Sequence, residues 1–308
     1  MKIENVIKKF NQEKIYLCPK CLSESCIENI SLVCSNNHRY DFSKKGYIHL
    51  INNYKPTKYS EELFRARSEV FGNDFYANIL KNIQNLVEKY AKGIVLDIGC
   101  GEGYYIKKLK TVFPEKYFYG LDNSKDAIEL AVKEDKLNPY MVANLANLPF
   151  KDGSVSCILN ILTPANYEEF FRVLGDEGYL IKVIPNANYL REIRELVGGK
   201  EYTNSDTVSL IEENCTIVER ITVSDTFELT QMQAASFLKM TPLTFSKVIT
   251  DADIDKLKEI TIDMELLVCK RKYKFDTGEN YEGGDIMNAS KYDHVVEVQK
   301  HAKVPWSK

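Results

Sequence analysis

The chain has 308 residues, with 41 Lys and Arg set against 44 Asp and Glu for a net charge of −3 at pH 7, a length that holds one full α/β domain plus a smaller module. No run of about 18 apolar residues occurs, which excludes a membrane-spanning helix, and residues 1–10 lack the continuous apolar core of a secretory signal. A cytoplasmic protein without a membrane partner is expected.

Four of the eight cysteines fall before residue 35, whereas Cys100, Cys157, Cys215 and Cys269 are scattered singly. That clustering points to metal rather than to disulfide bridges. Cys18-Pro19-Lys20-Cys21 is a C-x2-C pair and Cys34-Ser35-Asn36-Asn37-His38 a C-x3-H pair, which is zinc-ligand spacing. Cys18, Cys21, Cys34 and His38 therefore read as a closed, structural Cys3His zinc site in a segment too short to hold a core alone. Cys26 belongs to no pair and reads as a packed or surface thiol.

Residues 1–58 carry ten Lys or Arg against five Asp or Glu, so this end is basic against an acidic remainder. Lys20, Arg39, Lys44, Lys45, Lys55 and Lys58 are candidate phosphate contacts. Tyr40, Phe42, Tyr47 and His49 lie among them, either as stacking surfaces for bases or as the filling of a small core. Next, Ser60 to Phe71 reads as a linker helix, and Gln84 to Tyr90 lead into a strand.

Residues Ile94 to Leu96 suit a buried parallel strand, which runs through Asp97 into Gly99, Gly101 and Gly103 and then a helix over Tyr104 to Phe113. The three glycines alternate and Glu102 would crowd a diphosphate, so a cofactor without phosphates fits better than a dinucleotide. The segment resembles the first motif of class I S-adenosylmethionine-dependent methyltransferases. The strand Tyr117 to Leu121 then delivers Asp122, with Asn123 beside it, where a ribose diol would donate two hydrogen bonds. Val142 to Phe150 matches a third cofactor motif, with Asn144 and Leu145 at the adenine and Asn in place of the more usual Asp.

Further on, Ser154 to Ile161 reads as an apolar strand, Gly175 to Gly178 as a turn before the next strand, and Asn186 to Val197 as a helix. Asn160 to Ala165, where methyltransferases align their acceptor, lacks the Asn-Pro-Pro-Tyr pattern of exocyclic-amine enzymes. Thr216 to Leu229 and Ile260 to Lys270 read as a closing antiparallel pair. Residues 273–308 show no sustained apolar period and read as an appendage, partly disordered.

Taken together, Cys18 to Cys21, Cys34 to Asp41, Lys45 to Tyr47, Ala66-Arg67, Leu96 to Tyr105 and Met240-Thr241-Pro242 resemble the RlmA group of 23S rRNA guanine-N1 methyltransferases over roughly residues 15–272. The resemblance implies a class I α/β fold, Rossmann-like, with a mostly parallel seven-stranded sheet and a small N-terminal zinc-ribbon-like domain. The divisions expected are 1–52 for zinc and RNA, 53–80 for the linker helix, 81–272 for the methyltransferase domain and 273–308 for the appendage. It also implies S-adenosylmethionine and structural zinc as cofactors, 23S rRNA rather than DNA as partner, and a bearing on macrolide susceptibility; a homodimer over a shared RNA cleft stays open.

By the same resemblance Gly101 and Glu102 match the cofactor turn, Tyr76 an aromatic that closes over the cofactor, and Tyr189 a position where a family member uses His. The expected cofactor set is Tyr76, Asp97, Gly99, Gly101, Glu102, Asp122, Asn123, Asn144, Leu145 and Tyr189. No catalytic base is assigned, because His38 and His49 lie in the zinc module and His294 and His301 in the tail. The alternatives are a zinc-anchored RNA-binding or resistance protein with a degenerate cofactor site, or a small-molecule methyltransferase.

Overall fold

Helix α1 (Ile3–Phe10) buries Val6 and Phe10 along one stripe, and the Phe10 ring meets Phe42 edge-on at 4.9 Å. The structure, a computed structural model, describes residues 2–10, 14–52, 54 and 60–272. Lys55, Lys58 and the expected appendage lie outside the described residues. Beyond α1, the strands β1 (Ser25–Glu28), β2 (Ser31–Cys34) and β3 (Arg39–Asp41) form a three-stranded antiparallel sheet. Two-residue β4 (Ile48–His49) follows this small sheet in the chain and pairs in parallel at the edge of the larger one.

Helices α2 (Glu61–Gly72) and α3 (Ala77–Tyr90) follow, α2 capped by the Ser60 side chain, which accepts from the Leu63 amide. The alternating units are β5 (Val95–Ile98), α4 (Tyr104–Val112), β6 (Phe118–Asp122), α5 (Lys125–Glu134), β7 (Tyr140–Val142), β8 (Val155–Ile161), α6 (Tyr167–Val173) and β9 (Leu174–Pro185). After α7 (Arg191–Leu196) and α8 (Ser205–Asn214) come β10 (Cys215–Glu228), α9 (Gln231–Met240), a 3-10 turn over Pro242–Thr244, α10 (Asp251–Lys256) and β11 (Glu259–Arg271).

The strand order is β10-β11-β9-β8-β5-β6-β7-β4. Strand β11 runs antiparallel to both β9 and β10, and the strands from β9 to β4 are parallel. The expected seven strands are thus eight, because the zinc module contributes β4 to the edge. Apolar side chains cover both faces: Val95 packs into one core layer and its neighbour Leu96 into the other. The second layer takes in Val6, Phe10, Tyr16 and Phe42, so the N-terminal module and one face of the large sheet share a core.

Two expectations need correction. The Gly175–Gly178 turn lies inside β9 as an irregularity: Val155 pairs with Leu174 and Cys157 already with Tyr179. The helix expected over Asn186 to Val197 is only α7, because tertiary contacts claim the backbone before it. Asn188 N donates to Asp263 Oδ2 at 3.0 Å, Leu190 N donates to Thr261 O at 2.8 Å, and the Arg194 guanidinium takes the carbonyls of Ala187 and Tyr189.

Candidate cofactor cavity and metal centre

A cavity of about 390 Å³ opens at the C-terminal ends of β5, β6, β7 and β8, the place where parallel α/β sheets bind ligands. Gly99, Asp122, Asn123, Asn144, Leu145, Tyr76 and Tyr189 line it. Asp97, Gly101 and Glu102 do not; they sit behind the lining. The Gly101 amide is turned toward Asp122 and donates to its Oδ2 at 2.9 Å, while Ser124 N donates to Oδ1 at 2.7 Å. Gly99 adopts φ +78°, and a Cβ there would fall 2.4 Å from the Thr163 side chain, so this position admits only glycine.

Behind the lining, beside Asp122, lies a cluster of buried carboxyls. Asp97 is 1% exposed, and burial, reinforced by Asp122 and Glu102, pushes it up to about 8. Burial also raises Glu102, with Arg67 pulling it the other way. Asp97 Oδ2 and Glu102 Oε1 are buried with no hydrogen-bond partner among the described residues. Such oxygens are short of hydrogen-bond donors.

Sequence reading missed part of the wall. Phe64, Arg67 and Phe71 of α2 line the cavity, the guanidinium of Arg67 lying 5.9 Å from the Phe64 ring centroid and 5.8 Å from that of Phe71. The Ala66-Arg67 pair was visible as a landmark, with no contact to assign to it. Thr163 and Pro164 line the cavity from the β8 exit, and Met240-Thr241-Pro242 from the end of α9.

In the N-terminal module, the ligand atoms of Cys18, Cys21, Cys34 and His38 all lie within 4.8 Å of one another. His38 Nδ1 is 3.5 Å from Cys18 Sγ, 3.3 Å from Cys21 Sγ and 3.5 Å from Cys34 Sγ, and Cys21 Sγ is 3.8 Å from Cys34 Sγ. A tetrahedral zinc ion with Zn–S of about 2.3 Å and Zn–N of about 2.0 Å sets edges of roughly 3.8 Å between sulfurs and roughly 3.5 Å from sulfur to nitrogen. The spacing fits that ion. The His38 amide and Asn36 Nδ2 donate to Cys34 and Cys21 sulfurs at 3.3 and 3.4 Å, as a ligand's surroundings should. Cys26 is exposed and outside the group.

The aromatic question is also settled in part: Tyr40, Phe42 and Tyr47 are buried and fill the core. His49 is half-buried against Tyr54 at 5.2 Å. Of the basic candidates, Lys45 pairs with Glu129 at 2.6 Å and Arg39 with Glu28 at 4.0 Å, while Lys20 and Lys44 are exposed.

Comparison with known proteins agrees with both halves. The family model described as "RlmA, N-terminal", a zinc ribbon, matches residues 16–55, and the methyltransferase-domain model matches residues 96–181. The 23S rRNA (guanine(748)-N(1))-methyltransferase of Streptomyces fradiae is 28% identical over 189 residues, 59% of this chain and 67% of that protein. The Bacillus subtilis (strain 168) protein YxjB, named for a 23S rRNA (guanine-N(1)-)-methyltransferase activity, is 32% identical over 273 residues, 82% of this chain and 96% of that protein. The chain belongs to the RlmA family of 23S rRNA (guanine-N1)-methyltransferases.

Its cofactors are S-adenosylmethionine and zinc. The RlmA-family cavity suits the first: stranded carboxyl oxygens of Asp97 and Glu102 match a ligand that carries an ammonium, a sulfonium and ribose hydroxyls. Among the described residues no helix is long and apolar enough to cross a membrane.

Proposed function

We propose that this protein transfers the methyl group of S-adenosylmethionine to N1 of a guanine in 23S rRNA, acting in the cytoplasm, with the zinc ribbon gripping the RNA. One observation carries the reading. A cavity backed by unpaired buried carboxyl oxygens and a ribbon with zinc-ligand geometry are joined by β4, which follows the ribbon in the chain and adds a strand to the sheet that carries the cavity. Asp97 and Glu102 would take the cationic amino-acid end of the cofactor, Asp122 and Asn123 the ribose, and Asn144 and Leu145 the adenine. Cys18, Cys21, Cys34 and His38 would hold zinc. Bound S-adenosylmethionine supplies an electrophilic methyl group.

Guanine N1 sits on the pairing edge, so the base must leave its stack to reach the cavity. Its proton must also leave. Asp122 is the only carboxylate among the described lining residues, and both its oxygens already accept backbone amides. With Asp122 given to the ribose in this reading, proton removal is assigned to a carbonyl oxygen or to solvent, and most of the rate to positioning.

The test is to incubate the purified protein with S-adenosylmethionine and unmodified 23S rRNA. A new reverse-transcription stop at one guanine is expected, and label found only on ribose or protein overturns the assignment. The degenerate-site reading has one observation in its favour: Asn144 Oδ1 already accepts the Ala146 amide at 3.0 Å. A melting temperature unmoved by saturating S-adenosylmethionine would select it. The bearing on macrolides is tested by comparing the susceptibility of a gene deletion with its complemented strain.

A further inference from the structure

Lys182 stands on β9 opposite Asn160 of β8 and Leu267 of β11, in the middle of the catalytic sheet. It is 4% exposed. A lysine so placed is costly unless its donors are taken, and a methionine of similar length would fill the same space without that cost. Burial lowers its pKa to about 8, and the titratable groups facing it are Cys215 of β10 and Cys269 of β11.

Its hydrogen bonds are specific. The ammonium donates to Asn160 Oδ1 and, at 2.9 Å, to the Thr163 carbonyl. The Asn160 amide in turn donates to Ile98 O at 3.3 Å and Pro164 O at 3.2 Å. Two buried side chains thus collect three backbone carbonyls: one from the end of β5 just before Gly99, and two from the loop that lines the cavity.

That loop needs holding. Leu162 has φ +53°, a left-handed backbone that a non-glycine residue adopts only when its surroundings enforce it. Thr163 is packed onto Gly99 so closely that nothing larger than glycine fits there. A shift of the loop therefore moves the cofactor turn and the acceptor wall against each other.

We propose that Lys182 is a positioning residue for methyl transfer: through Asn160 and the Thr163 carbonyl it fixes the Leu162–Pro164 loop as the rigid wall on which the acceptor base is aligned. The inference rests on the methyltransferase reading above. Lys182 itself touches neither donor nor acceptor; it lies behind the wall.

Lys182→Met removes the donors and keeps the bulk. Its kcat should fall on the order of 10- to 100-fold, the range a misplaced reacting geometry produces, while the Kd for S-adenosylmethionine and the KM for rRNA stay within about threefold. Lys182→Arg, which keeps the cation and its donors, should recover most of the lost kcat. A Met variant with kcat within twofold of the parent overturns the proposal, as does one in which kcat and cofactor affinity fall in proportion. If Lys182→Met does not accumulate folded, Lys182→Gln decides: a lowered kcat with cofactor binding kept supports the role, and an unchanged kcat ends it. Failure of the functional reading is separately visible, as the absence of guanine methylation by the parent protein.

Discussion

The Tyr76 hydroxyl meets the Tyr189 hydroxyl at 2.8 Å, joining the start of α3 to the segment after β9 at the cavity wall. Burial raises both phenols, so the pair is neutral, and the Tyr76 hydroxyl depends on Tyr189. Tyr189→Phe leaves the Tyr76 hydroxyl stranded, and at about 1–3 kcal/mol for such a group the affinity for S-adenosylmethionine should fall fivefold or more. The double variant Tyr76→Phe with Tyr189→Phe should lose less than the sum of the singles, because no Tyr76 hydroxyl is then left stranded. Calorimetric titration of the four proteins checks this; strict additivity would show the pair to be incidental.

Asp97 makes an opposite pair of changes when neutralised. Its carboxyl, pushed up to about 8 mainly by burial, keeps a proton in the folded protein that an unfolded carboxyl near pH 4 has already released. The side chain therefore subtracts from stability progressively as the pH rises from about 4 to about 8, and fully above that. Asp97→Asn should raise the melting temperature of the cofactor-free protein at about pH 9, with little effect near pH 4. It should also weaken S-adenosylmethionine about tenfold or more at the higher pH, by removing a buried acceptor. A variant that melts lower than the parent at alkaline pH would contradict this account of the cluster.

Arg67 lies over the Phe64 and Phe71 rings and draws Glu102 toward its charged form. Arg67→Met keeps most of the packing and loses the charge. Glu102 should then hold its proton to higher pH, and cofactor affinity should fall roughly tenfold as a charged partner is lost from the cavity. Fluorescence or calorimetric titration reads the change, and Arg67→Lys should restore less than half of it because a point charge does not replace a planar guanidinium over two rings. Unchanged affinity in Arg67→Met would remove Arg67 from the site.

Zinc removal should be felt beyond the ribbon. Ile48 pairs with Met141, Leu50 N donates to Val142 O at 2.8 Å, and Ala143 to Leu145 of the following loop line the cavity. A chelator, or Cys21→Ser, should abolish rRNA binding and lower the melting temperature, with a smaller loss of cofactor affinity, below about tenfold. Restored zinc should reverse the chelator effect. Equal losses of RNA and cofactor binding would mean that the ribbon has no separate role in gripping RNA.

What was readable from the sequence was whatever chemistry is local. The β5 strand, its glycine turn and α4 are consecutive residues, and the zinc set is two short pairs whose spacing already places the ligands. Thr216 to Leu229 and Ile260 to Lys270, expected as the antiparallel pair that ends this fold, are β10 and β11. Ala66-Arg67 and the Asn160–Ala165 stretch stood out, but the contacts of Arg67, Thr163 and Lys182 were opaque because each has its partner far along the chain: Glu102, Gly99 and Asn160 respectively. The missing first turns of the helix expected after β9 have the same cause, since the Asp263 carboxylate and the Arg194 guanidinium outbid local propensity for that backbone. The run Tyr47 to Leu50 can be read as a strand of a small core, but nothing local shows that β4 pairs with Met141 and Val142 far along the chain.

That short strand also orders the assembly of the molecule. The ribbon's own pairings, Ser25 with Cys34 and Ser31 with Asp41, close within a few residues and can form around zinc as soon as that stretch of chain exists. Strand β4 has to wait for β7, with β5, β6 and four helices between them in the chain. Until then its backbone donors and acceptors are open to any passing strand, and once docked it shields the flank of β7 from the same fate. The metal module is thus both the first part of the protein able to fold and the piece that seals the catalytic sheet at the end.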